Sequence, residues 1–122
     1  MRIAVTASKP ALDAALDPRF GRCAYFIILD TEDMSFEAVD NSEIASGGGA
    51  GIQSAQLVAE KGVKAVLTGN CGPNAHRSLC AAGIEVLLGL DGSVLQAVER
   101  FKSGELRASS SPNAKSHAGM GS

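Results

Sequence analysis

Residues 47–75 read GGGAGIQSAQLVAEKGVKAVLTGNCGPNA, and this stretch decides the fold. It opens on a glycine run, Gly47-Gly48-Gly49-Ala50-Gly51, whose backbone a ligand can approach closely because Cβ atoms are missing. Ile52, Ala55, Val58 and Ala59 then recur at helical spacing. A helix is therefore predicted from Gly51 or Ile52 to Lys61, stopped by Gly62 with the apolar Val63 behind it. Residues 63–67 form a short apolar run suited to a strand covered on both faces. The run delivers the chain to Thr68-Gly69-Asn70-Cys71-Gly72-Pro73, where Pro73 suits the first position of a second helix. Two helix N-termini, each with unpaired N–H groups, are thus predicted beside one strand end with a thiol between them.

On the N-terminal side, residues 2–6 (RIAVT) read as an opening strand and residues 7–17 as a long loop holding Pro10. Residues 17–23 (DPRFGRC) carry two arginines between Pro and Gly punctuation. Residues 24–30 (AYFIILD) and 35–40 (SFEAVD) should pair as a hairpin, the second alternating as a half-exposed strand. On the C-terminal side a helix over 73–82 stops at Gly83-Ile84 and leads to a strand over 85–88. Ser93 should cap a third helix, with Gln96 completing a capping box and Gly104 ending it. The order gives a single-domain α/β fold with a mixed five-stranded sheet and about three helices. Right-handed crossovers gather the loops that follow the strands at one sheet edge, where open α/β sheets bind ligands. Residues 109–122 are small and polar and are expected to form a mobile tail.

The 122 residues suffice for one ordinary core, and 45% hydrophobic with 20% charged residues is a globular composition. A net charge of −2 and 4% aromatic residues argue against nucleic acid and against an acidic membrane surface. No stretch approaches the roughly 20 apolar residues that span a bilayer, and the opening turns polar by Ser8, so a cytoplasmic location is expected. Three cysteines without a C-x-x-C pair point to reduced thiols rather than a disulfide framework or a zinc ribbon.

Cys71 precedes a predicted helix N-terminus, where the dipole favours thiolate; the alternative is a small buried turn residue. Cys23 follows Arg22, whose charge would favour its thiolate, or it packs at a strand edge. Cys80, inside a helix, reads as core packing. His76, in the first turn of that helix, either helps hold a metal or anion or lies solvated on the surface. His117 and Met120 belong to the tail. The glycine run lacks the Gly-Lys-Ser/Thr ending of a P-loop, and no G-x-G-x-x-G follows the first strand, which disfavours both nucleotide fingerprints. An anion nest remains, to which Arg19 and Arg22 add charge if their loop folds over the same edge; Asp17 orients one of them or caps a turn. No acid–base machinery is recognisable, and the chain reads as a non-enzyme.

Asp17-Pro18-Arg19-Phe20-Gly21-Arg22-Cys23-Ala24-Tyr25-Phe26 resembles the opening motif of the dinitrogenase iron–molybdenum cofactor biosynthesis family, shared by NifX, NafY and the C-terminal part of many NifB proteins. Gly49-Ala50-Gly51-Ile52 and Thr68-Gly69-Asn70-Cys71-Gly72-Pro73-Asn74-Ala75 look like its second and third motifs, and Ala82-Gly83-Ile84 with Gly104-Glu105-Leu106 fits its closing pattern. The resemblance covers residues 1–106, leaving 107–122 as the tail, and short members of this type are similar to the orange proteins of sulfate-reducing bacteria. It implies a ribonuclease-H-like fold without nuclease chemistry and carriage of a metal–sulfur cluster. That cluster would be a molybdenum–copper sulfide or an iron–molybdenum cofactor precursor, held without covalent protein ligands by backbone N–H groups and arginines. The residues carried over are Arg19, Arg22 and Cys23, the loop Gly48, Gly49, Ala50 and Gly51, and Asn70, Cys71, Gly72, Asn74 and His76, with Cys71 and Cys23 as the candidate direct ligands. A regulatory module partnering MinD/Mrp-type ATPases is the alternative the resemblance implies, and a thiol redox sensor is a third. A monomer or weak homodimer is expected.

Overall fold

The structure, a computed structural model, describes residues 1–113. Strands β1 (Arg2–Ala7), β2 (Tyr25–Asp30), β3 (Phe36–Asp40), β4 (Ala65–Leu67) and β5 (Glu85–Leu87) form one mixed sheet in the order β3-β2-β1-β4-β5. The helices are α1 (Ser42–Ala45), α2 (Ala50–Glu60), α3 (Pro73–Ala81) and α4 (Val94–Lys102). This is the mixed five-stranded α/β sheet expected from the element order and the ribonuclease-H-like fold that the family resemblance implies.

β1 occupies the centre because its residues from Ile3 onward are apolar or small enough to be buried on both faces. It pairs antiparallel with β2, from Arg2 opposite Asp30 to Ala7 opposite Tyr25, and parallel with β4. Alternation then divides the core into two layers. Ala4, Phe26, Ile28, Val66 and Val86 face Ala55 and Val58 of α2 and Ala75 and Leu79 of α3. Ile3, Val5, Ile27, Leu29 and Leu67 face Val94, Ala97 and Val98 of α4. The hairpin partner β3 is largely exposed on the sheet margin.

The local stop and start signals operate as read. Gly62 and Gly83 end their helices with φ of +75° and +76°, a conformation that costs glycine nothing. Pro73 opens α3 and Ser93 caps α4, accepting from the Gln96 N–H at 3.1 Å while Gln96 Oε1 accepts from the Ser93 N–H at 2.9 Å. Three details differ. β4 starts at Ala65 rather than residue 63, although Lys64 already donates to the Arg2 carbonyl at 2.8 Å and accepts from the Glu85 N–H at 3.0 Å, and β5 ends at Leu87. α1 is a single turn with no side-chain cap, too short to carry a periodic signal. The loop after β1 is ordered by bridges from Ala7 to Leu16 and from Ala15 to Ser93.

β1, β4 and β5 run parallel, so their C-terminal ends share one edge, where antiparallel β2 begins and β3 ends. The loops over 17–24, 41–50 and 68–72 therefore converge there. Residues 107–113 also return to this edge; His117 and Met120 lie outside the described residues.

Candidate functional site

Backbone pairing stitches the first motif to the third. Phe20 N–H donates to the Asn70 carbonyl at 3.0 Å and Asn70 N–H to the Pro18 carbonyl at 2.6 Å, extending a parallel bridge between Arg19 and Asn70. Gly69 makes this possible: a Cβ there would stand 2.8 Å from Pro18 Cα. The first motif also meets the second, because a Cβ on Gly21 would fall 3.0 Å from Gly51 Cα. Gly51 in turn lies against α3, with Ala75 Cβ 3.1 Å from where its own Cβ would be. Three motifs far apart in the chain thus share one small region at the sheet edge.

Asn41, which the sequence reading overlooked, holds that region from beneath. It is buried, donates through Nδ2 to the carbonyls of Gly21 at 3.2 Å and Cys23 at 3.1 Å, and its Oδ1 lies 3.5 Å from Ser54 Oγ. Its only local signal is polarity directly after a strand, which any turn shows. Replacing Asn41 by Ala removes a donor from two buried carbonyls, leaving Gly21 only the 3.4 Å bond from Ser54 Oγ, and a loss of about 2–3 kcal/mol in urea unfolding is expected.

Arg22 donates through Nη1 to the carbonyls of Ala45 at 2.5 Å and Gly47 at 3.2 Å, fastening the start of the glycine loop. Its cation therefore sits at this edge and stays exposed. Asp17, buried, accepts from the Arg19 N–H at 3.0 Å and pairs with the guanidinium at 3.2 Å, so it both caps the turn and orients the arginine. The hydrogen bond and charge of Asp17 hold Arg19 above its ordinary pKa, while 63% of the Arg19 side chain remains exposed. Both arginines reach the edge.

For Cys23 and Cys71 the structure takes the buried one of the two readings that the sequence leaves open. Cys23 and Cys71 are both 0% exposed. Burial, reinforced for Cys23 by the Asp17 charge, pushes its pKa up to about 12. Burial, with Cys80 nearby, pushes Cys71 to about 12 as well. Neither is a thiolate at neutral pH, because desolvation outweighs the Arg19 charge at Cys23 and meets no opposing charge at Cys71. Cys80, expected in the core, is exposed instead. His76 is buried rather than solvated, packed with Nε2 3.3 Å from the Ser109 carbonyl. The Cys80 sulfur stands 3.6 Å from Nδ1 and 3.9 Å from Nε2; this near-equality places it against the ring, not along a lone pair. Asn70 and Asn74 are exposed, Asn74 accepting from Arg77 at 3.4 Å. Among the described residues, no three His, Cys, Asp or Glu side chains are grouped to hold a metal ion.

Not every glycine at this edge has a packing reason. A Cβ on Gly48 or on Gly72 would meet nothing within 4 Å, and Gly72 has the ordinary extended φ of −75°. The two lie at the entries to α2 and α3, where N–H groups lack intrahelical partners. The surface depressions lined by Arg2 and Phe36, by Gln96 and Arg100, and by Ile44 and Leu57 are elsewhere.

Sheet order and converging loops define a ribonuclease-H-like α/β domain with its chemistry-bearing residues at one sheet edge. The profile of the family described as "Dinitrogenase iron-molybdenum cofactor" matches residues 1–104, and the chain belongs to that family. The structure of the apo form of the orange protein from Desulfovibrio gigas is similar, with a TM-score of 0.90 and 47% identity, covering 93% of this chain and 96% of that one. A Thermotoga protein described as a NifB protein is similar with a TM-score of 0.77 and 36% identity, covering 88% and 91%. An uncharacterized protein of Methanocaldococcus jannaschii is 33% identical over 94 residues, 75% of this chain and 80% of the relative. No described helix is long and apolar enough to cross a membrane.

Proposed function

We propose that the protein binds or carries a preformed metal–sulfur cluster, molybdenum-containing, at the edge lined by Gly48–Gly51 and residues 69–72. Family membership supports a role in metal-cluster or cofactor binding. The similarity to an orange protein described in its apo form, a term that implies a removable group, supports a bound group here; the molybdenum–copper sulfide type is what the resemblance to orange proteins implies. The observation that carries the reading is the pair Gly48 and Gly72, glycines that the fold does not require and that leave open space before two helix N-termini. Gly72 is the N-cap of α3, where Ser or Asp would stabilise the helix more than Gly does, and the bare backbone there leaves room for close approach.

The chain's donors fit an anion better than a metal ion. Backbone N–H groups at the entries to α2 and α3, with Arg19 and Arg22 at the rim, complement the negative charge of a thiometallate. Cys23 and Cys71, buried and protonated, are outside direct ligation in this arrangement. The protein's work is then to exclude competing ligands and hold a cargo, with no catalytic step.

The test is titration with tetrathiomolybdate, with and without copper, followed by desalting, visible absorption and metal analysis. Colour at fixed stoichiometry is expected to survive Cys23→Ser and Cys71→Ser and to be lost when Arg19 and Arg22 are both replaced by Ala. Colour lost with either serine change would make that thiol a ligand. No retention with molybdenum or iron sulfides would remove the cluster reading.

A further inference from the structure

Past α4 the chain turns back over the candidate edge. Ser109 N–H donates to the Val86 carbonyl of β5 at 2.7 Å, and the Ser109 carbonyl accepts from His76 Nε2–H at 3.3 Å. Four residues later the Asn113 carboxamide reaches the loop between β4 and α3. Its Oδ1 accepts from the Cys71 N–H at 2.9 Å, and its Nδ2 donates to the Gly69 carbonyl at 2.9 Å and towards Asn70 Oδ1 at 3.4 Å. One side chain therefore satisfies a donor and an acceptor two residues apart, as a neighbouring strand would.

We propose that this C-terminal strap is a built-in competitor for the site: Asn113 Oδ1 occupies the Cys71 N–H that an anion at the α3 entry would take. The proposal rests on the reading that residues 69–72 face an anionic cluster. Without ligand, the strap saves a part-buried N–H from standing unpaired, which would otherwise cost stability. With ligand, a neutral amide oxygen competes against an anion whose hydrogen bonds are charge-assisted and roughly twice as strong. The strap is suited to yielding. Arg107 and Ala108 are exposed, as are residues 110–113, and the attachments are a handful of hydrogen bonds rather than apolar packing. Such segments open locally at low free energy. Release of Asn113 also leaves the Ser109–His76 contact as the inner limit of the movement, so the strap swings from a fixed point rather than detaching.

The experiment uses the full chain, wild type and Asn113→Ala, with the Cys71 backbone amide followed by NMR and hydrogen exchange during titration with tetrathiomolybdate. The variant is expected to lose protection at the Cys71 amide and to bind about fivefold tighter, the effect of removing one competing hydrogen bond. In the wild type, the Asn113 side-chain NH2 signals should move as ligand binds. Equal or weaker binding by the variant, with the wild type binding, would overturn competition and make Asn113 part of the ligand's own contacts or a bystander. If neither protein takes up thiometallate, the cluster reading fails by itself, and molybdate followed at the Cys71 amide decides the strap. A larger shift in the variant than in the wild type supports competition, and no shift in either overturns it.

Discussion

Iodoacetamide at pH 8 is expected to alkylate Cys80 in the folded protein and to leave Cys23 and Cys71 intact until the chain unfolds. Cys80 is exposed on α3, whereas the other two have no accessible surface. Their pKa values of about 12, against 9.0 for an ordinary thiol, reduce the thiolate fraction about a thousandfold before access is considered. Mass spectrometry of the labelled protein checks this, and equal labelling of Cys71 and Cys80 would refute the burial. The same protonation equilibrium sets an alkaline limit on stability. Folding raises these pKa values, so the folded state holds the protons more tightly, and the resulting stabilisation is complete below about pH 9. It is lost as pH rises from there towards about 12, with a slope of up to about 1.4 kcal/mol per pH unit for each thiol. Urea midpoints measured from pH 8 to 11 should fall, and should fall less steeply in Cys71→Ala.

Two glycines three residues apart should separate stability from binding. Gly69→Ala is expected to cost about 1–3 kcal/mol, because the new methyl would press on Pro18 backbone, which cannot move without breaking the Asn70 pairing. Gly72→Ser should leave unfolding unchanged or slightly improved, since the site is open and serine is the better N-cap. Yet Gly72→Ser should weaken thiometallate retention by placing a side chain where the proposed cluster would approach. Thermal melts beside the desalting assay give both readouts. A destabilised Gly72→Ser variant would show that the fold, not the ligand, requires that glycine.

The elements legible in sequence were those written locally. Gly62 with Val63, Gly83 with Ile84, Pro73, and the Ser93–Gln96 box each act within one or two turns, so the sequence pattern sufficed for α2, α3 and α4. The sheet followed from the hairpin and the two buried strands. The motif residues, too, were traceable, and the structure does bring Arg19, Arg22, the glycine loop and residues 69–72 to one edge. What was not legible depended on tertiary burial. A cysteine beside an arginine reads the same whether exposed or enclosed, and it is tertiary packing, in the cluster that also holds Phe20, Phe26 and Val58, that makes Cys23 a core residue. Cys80, read as core, faces outward, and His76, read as either a ligand or a solvated residue, is buried, because the rotation of α3 about its own axis is set by its neighbours. Asn41 was missed for the same reason, and Asn113 because a small polar stretch carries no pattern that distinguishes a strap from a free end.

The contact between Gly51 and Ala75 has a consequence for which ligands can be told apart. The helices α2 and α3 approach as closely as they do because one carbon is missing at Gly51, and their starting turns are therefore held at a set distance. A pair of positive helix ends at fixed separation is a caliper. If the proposed cluster lies across it, the span between its negative atoms is what the two ends would select, so discrimination would rest on the size of the cargo more than on its elemental identity. Widening the jaws by a single methyl would change which object fits before it changed how tightly the original is gripped.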